Sequence, residues 1–193
     1  MTKSLPLIGA LLFALAVPEG AAAAPDVNPQ VLIKTSKGEI VLELYPAKAP
    51  ATVENFLKYV DDKHYDGTIF HRVIANFMIQ GGGFTPDMKQ KTNRAPIKLE
   101  SQNGLKNDAG WVAMARTSVP DSATSQFFIN VVDNGMLNFP QPDGNGYAVF
   151  GKVVKGMDTV EAIKAVKTTS TGMHRDVPAE AVVIQSVSRV TGK

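Results

Sequence analysis

The sequence predicts a mainly β protein, a closed antiparallel barrel with helical caps. Two observations carry that expectation. From residue 30 onward the chain is a succession of short apolar or alternating runs, separated by turn-rich segments. Only two stretches space their apolar residues at helical intervals. So many short strands would present exposed edges in an open sheet, and closing the sheet on itself removes them.

The elements follow in order. Residues 31–35 form a β-branched run, and Ser36, Lys37 and Gly38 form a turn. Residues 39–45 then alternate, with Ile40, Leu42 and Leu44 on one face and Glu39 and Glu43 on the other. Together they predict a β-hairpin with one wet face. Pro46 and Pro50 stop the strand, and Pro50 suits the first turn of a helix, where its missing N–H is harmless. Val53, Phe56, Leu57 and Val60 make the apolar stripe of that helix. Further strands are expected at 69–74, 77–80, 97–99, 111–115, 127–132 and 149–154. A second helix is expected at 158–166, with Asp158 in its first turn and Val160, Ile163 and Val166 apolar. A last strand spans 181–190. Trp111, the one tryptophan, is expected on the interior face of its strand.

Composition narrows the chemistry. The chain has 193 residues, of which 44% are hydrophobic and 20% charged, as in ordinary globular proteins. Its net charge of +2 is too small to build a field for nucleic acid or anionic lipid. With no cysteine, thiolate catalysis, disulfides and zinc–cysteine sites are excluded. Three histidines leave little for a metal site, and no metal or cofactor is expected.

Residues 1–23 read as a secretory signal peptide. Lys3 gives the positive start, 5–17 the apolar run, and Ala21 and Ala23 the small pair before a cut after Ala23. That apolar run is about 13 residues long, short of the ~20 needed to span a bilayer. Residues 24–29 form a short tether and 30–193 one domain. The mature chain is expected in the periplasm, or secreted where there is no outer membrane, with no membrane attachment after cleavage. A monomer is expected, since no heptad seam or long exposed apolar run is visible.

The chemistry-bearing residues cluster. Phe70-His71-Arg72-Val73-Ile74 precedes Phe77-Met78-Ile79-Gln80-Gly81-Gly82-Gly83-Phe84. Downstream lie Met114-Ala115-Arg116, Ser125-Gln126-Phe127-Phe128, Met136-Leu137 and Gly146-Tyr147. Strand alternation puts Arg72 on the face of Phe70 and Ile74, and Met78 on the face of Gln80. Of Phe127 and Phe128, one is buried and the other is free to reach a groove. Taken singly, Arg72 reads as a surface arginine, and Phe128 equally well as core or site. His71 reads as a buried, hydrogen-bonded structural histidine pointing away from Arg72. The glycine triplet lacks the lysine of a phosphate-binding loop and reads as a tight turn. Residues 89–91 read as a solvated loop, and Ser122 and Ser125 sit in no nucleophile motif.

As a set, these residues resemble the cyclophilin-type peptidyl-prolyl cis–trans isomerases, and within them the exported bacterial branch, over roughly residues 30–190. The resemblance implies a closed eight-stranded antiparallel β-barrel capped by two α-helices, with its substrate in a groove on the outer surface. It implies an enzyme that accelerates X–Pro isomerisation during folding of exported proteins, acting on proline-containing unfolded or flexible polypeptides. A proline-peptide-binding chaperone on the same fold is the alternative. By the same resemblance Arg72 is the catalytic residue. Phe77, Met78, Phe128 and Leu137 form the proline pocket, and Gln80 holds substrate backbone. Ala115, Arg116 and Thr117 lie along the peptide, and Gln126 lines the same groove. Arg116 replaces an asparagine that acts mainly through its backbone. Tyr147 takes the place of a histidine near the proline pocket. Met136 stands where many eukaryotic members carry tryptophan, so weak cyclosporin binding is expected.

Overall fold

The computed structural model describes residues 28–190. The expected signal peptide, 1–23, and residues 24–27 of the expected tether lie outside the described residues. Eight strands close the barrel: β1 (Gln30–Thr35), β2 (Gly38–Leu44), β3 (Thr68–Ile74), β4 (Met78–Gly81), β5 (Trp111–Met114), β6 (Phe127–Asn130), β7 (Val149–Lys155) and β10 (Val183–Arg189). Their order around the barrel is β1-β10-β3-β4-β6-β5-β7-β2, and every pair is antiparallel. Two helices, α1 (Pro50–Asp61) and α2 (Met157–Lys164), pack on it. A separate hairpin, β8 (Thr168–Thr171) with β9 (His174–Pro178), stands outside the barrel ladder.

Alternation decides which side chains fill the interior. Val31, Ile33, Ile40, Leu42 and Leu44 of the first hairpin are fully buried. Phe70, Phe127 and Phe150 join them, and α1 lays Phe56 among these rings. Phe56 meets Phe127 edge-on at 5.6 Å and Phe150 at 5.1 Å. α2 adds Val160 and Ile163 to the same core.

The first turn of α1 has no cap of its own. Ala49 offers no side-chain acceptor, and Pro50 has no N–H. Glu100 supplies the acceptor from a distant loop. Its carboxylate accepts from the Ala51 N–H at 3.1 Å, the Thr52 N–H at 2.8 Å and the Thr52 hydroxyl at 2.7 Å.

Four expectations are corrected. Residues 97–99 form no strand, only an isolated bridge from Ile97 to Ala123. The β8–β9 hairpin is absent from the sequence reading because all four β8 residues are exposed and leave no apolar face to detect. Trp111 faces outward, since Val112 and Met114 take the interior positions of β5. It stacks on Tyr45 at 5.5 Å and carries Lys152 Nζ 5.3 Å from its ring. Finally, Phe70 and Arg72 do not share a face. Phe70 pairs with Gly81 but Arg72 with Gln80, so the ladder slips by one residue at His71. That bulge keeps Phe70 inside and turns Arg72 out, on the side of Ile74.

Candidate active site

The bulge brings four residues into one row across the outer face. Arg72 pairs with Gln80, Gln80 with Phe128, and Phe128 with Ala113. Because side chains alternate, Phe127 and Ile129 point into the barrel while Phe128 points out. Met78, Ala113, Phe128, Leu137 and Val149 form a second apolar cluster there, separate from the core.

This cluster floors a cavity of about 420 Å³. Arg72, Phe77, Met78, Gln80, Ala115, Arg116, Phe128, Leu137 and Tyr147 line it. Phe128 and Tyr147 meet edge to face at 5.7 Å. The backbone of Phe77 is fixed from behind, its carbonyl accepting from the Val131 N–H at 3.1 Å and from Asn134 Nδ2 at 2.8 Å. Arg72 stands half-buried at the edge of this apolar space, and its side chain makes no hydrogen bond or salt bridge among the described residues. Its five N–H donors are therefore available to a ligand.

A neighbouring cavity of about 280 Å³ shares Gln80, Ala115 and Arg116 and adds Thr117 and Gln126. Gln80 Nε2 donates to Gln126 Oε1 at 2.9 Å, which ties the two cavities together. Gln90, expected in a solvated loop, also lines this second cavity. Ser122 and Ser125 serve as structural hydrogen-bonding groups. The Ser122 hydroxyl accepts from the Thr117 N–H at 2.9 Å, and that of Ser125 donates to Asn93 at 2.8 Å.

The structure thus gathers eleven of the twelve expected site residues into two joined cavities. Met136 stays out. It lies in the 3₁₀ turn Gly135–Leu137, which turns Leu137 inward and leaves Met136 64% exposed, lining neither cavity.

Two further features arise only in the folded chain. The side chain of Arg116 is 1% exposed and fully engaged. It donates to both Asp143 oxygens at 2.8 Å, to the Gly146 carbonyl and to the Thr117 carbonyl, and its guanidinium carbon sits 4.5 Å from the Tyr147 ring centroid. Asp143 is 27 residues away in sequence, with no pattern linking it to Arg116. His71 is buried as expected, at 5% exposure, but its Nδ1 has no hydrogen-bond partner. Burial, with the neighbouring His174 and Arg72, lowers its pKa to about 4. Among the described residues no trio of His, Asp or Glu is placed to hold a metal, and no helix is long and apolar enough to cross a membrane.

The family model for cyclophilin type peptidyl-prolyl cis-trans isomerase/CLD matches residues 30–189. The chain belongs to this family. Among its relatives, the peptidyl-prolyl cis-trans isomerase cyp18 of Streptomyces antibioticus is 64% identical over 158 residues, covering 81% of this chain and 95% of that protein. Peptidyl-prolyl cis-trans isomerase B of Escherichia coli is 58% identical over 160 residues, covering 82% and 98%. Among solved structures, a Cryptosporidium parvum cyclophilin-type isomerase crystallised in the presence of the dipeptide Ala-Pro superposes with a TM-score of 0.73. It is 27% identical and covers 84% of this chain and 99% of that one. The cyclophilin barrel expected from the sequence is the fold observed.

Proposed function

We propose that this cyclophilin isomerises X–Pro bonds in unfolded or flexible polypeptides exported from the cytoplasm. The carrying observation is the unpaired Arg72 guanidinium at the edge of an apolar cavity of about 420 Å³, a setting that suits a proline ring next to a donor. Rotation about an X–Pro bond faces a barrier of ~18–20 kcal/mol set by amide resonance, and uncatalysed exchange takes tens to hundreds of seconds. Catalysis requires only that the twisted amide be bound better than the planar one. In the twist, the nitrogen lone pair leaves conjugation and becomes an acceptor. Arg72 donates to the proline carbonyl and toward that nitrogen. Phe77, Met78, Phe128 and Leu137 hold the ring, with Tyr147 as the outer wall. Gln80, Gln126 and the backbone of 115–117 grip the flanking chain while the acyl side rotates. No proton transfer or covalent bond is needed, so buried, neutral His71 has no acid–base part in the reaction.

The export reading rests on residues 1–23 and places the protein in the periplasm, or outside the cell where there is no outer membrane. N-terminal sequencing of protein recovered from that fraction checks it, with Ala24 expected as the first residue. The natural state is a monomer. Cyclosporin binds weakly, because exposed Met136 offers no ring over the pocket. NMR exchange on an Ala-Pro peptide tests the catalytic reading. Line broadening at catalytic protein concentrations is expected, and a folded protein that binds the peptide without accelerating exchange would instead be a proline-peptide-binding chaperone.

A further inference from the structure

Beside Arg72, the β8–β9 hairpin builds another recess of about 570 Å³. Arg72 and Gln126 form part of its wall; Arg72 also lines the 420 Å³ cavity and Gln126 the neighbouring 280 Å³ one. The recess therefore adjoins the substrate groove. Its outer wall is the hairpin itself, through His174, Arg175 and Asp176. Phe84 anchors this wall to the barrel, with its ring 4.7 Å from His71 and 5.2 Å from His174.

The charges facing this space are Arg72, Arg175 and Asp176. None of the three makes a salt bridge among the described residues. Two cations against one carboxylate leave an excess positive charge. His71 adds none at neutral pH, because burial keeps it unprotonated.

We infer that this recess is a subsite for an acidic side chain of the substrate polypeptide, close in sequence to the X–Pro bond. The inference rests on the isomerase reading and adds a preference to it. An arginine fork pairs with a carboxylate through two parallel charge-assisted bonds. Arg72 is engaged at the proline, so Arg175, exposed on β9, carries the preference. The occupant is a side chain of the bound substrate, because the recess lies against the groove and shares Arg72 and Gln126 with it.

The test uses Ala-Pro peptides carrying Glu, Gln or Lys at each of the two positions on either side of the X–Pro pair. Wild-type protein and Arg175→Glu are compared by kcat/KM. At one position the wild type prefers Glu over Lys by about threefold to tenfold, the scale of one partly exposed ion pair. Arg175→Glu reverses that order, 0.5 M salt shrinks it, and the all-neutral peptide turns over equally in both proteins. Equal Glu/Lys ratios in the two proteins at every position would overturn the subsite. So would a loss that is the same for the neutral peptide. Failure of the wild type on the neutral peptide would instead count against the isomerase reading. The β9 amide signals, titrated with the same Glu and Lys peptides, then decide the subsite by affinity alone.

Discussion

Arg116 is held by both carboxylate oxygens of Asp143 at 2.8 Å while its guanidinium lies against the Tyr147 ring. One side chain thus joins the strip beside the groove to the loop that carries the pocket's outer wall. Arg116 is invisible to a ligand as a charge, yet it sets where Tyr147 stands against Phe128.

Truncating this clamp should loosen the pocket without touching the reacting bond. Arg116→Ala and Asp143→Ala should each raise KM by about threefold to tenfold, with kcat within about twofold of wild type. The double variant should be no worse than either single one, since they break the same contact. Arg116 lowers the Asp143 pKa, so the pair is complete above the ordinary carboxylate range and is lost as pH falls through the lowered value. KM should therefore be flat from pH 6 to 8. Steady-state kinetics on an Ala-Pro peptide checks each point.

His71 makes stability depend on pH in a different window. Its folded pKa of about 4 lies below the unfolded 6.5, so the unfolded chain takes up the proton first. Stability is fully present above pH 6.5 and falls as pH drops toward 4, by roughly 3 kcal/mol at most. Urea unfolding at pH 7 and pH 4.5 should show this slope in wild type. It should be much shallower in His71→Gln.

Glu100 caps α1 in place of a local residue. Glu100→Ala removes acceptors from two backbone N–H groups and the Thr52 hydroxyl. The loss should be about 1–2 kcal/mol in denaturant unfolding, on the scale of other helix caps. Activity should stay at the wild-type level, since Glu100 lines neither groove cavity.

Gly83 lies against Gln126. A Cβ there would sit 2.5 Å from Gln126 Cγ and must displace that side chain. Gly83→Ala should break the Gln80–Gln126 hydrogen bond and raise KM several-fold. Because Gln126 can swing aside, the melting temperature should change little.

What the sequence disclosed follows from periodicity. The alternation of β2 and the opposite facing of Phe127 and Phe128 needed only the two-residue repeat of a strand, while the family resemblance chose Phe128 for the groove. The stripe of α1 needed only the helical one. What it hid came from breaks in period or from long range. The His71 bulge looks like ordinary strand in sequence, yet it separates Arg72 from Phe70. Trp111 takes the parity opposite to Val112 and Met114, which hydrophobicity alone does not reveal. All of β8 is exposed and β9 buries only Val177 and Pro178, so no alternating apolar face marked the hairpin. Arg116 and Asp143 meet only through the fold.

Arg72 carries the central claim. It is half-buried and its side chain has no hydrogen-bond partners among the described residues, so its removal should cost little stability. The decisive measurement is kcat/KM for an Ala-Pro-Phe peptide with wild type and Arg72→Ala, beside their melting temperatures. A drop of about a hundredfold, or ~2.7 kcal/mol of lost transition-state binding, is predicted with unchanged melting. A folded variant that retains activity within about threefold of wild type would contradict the account.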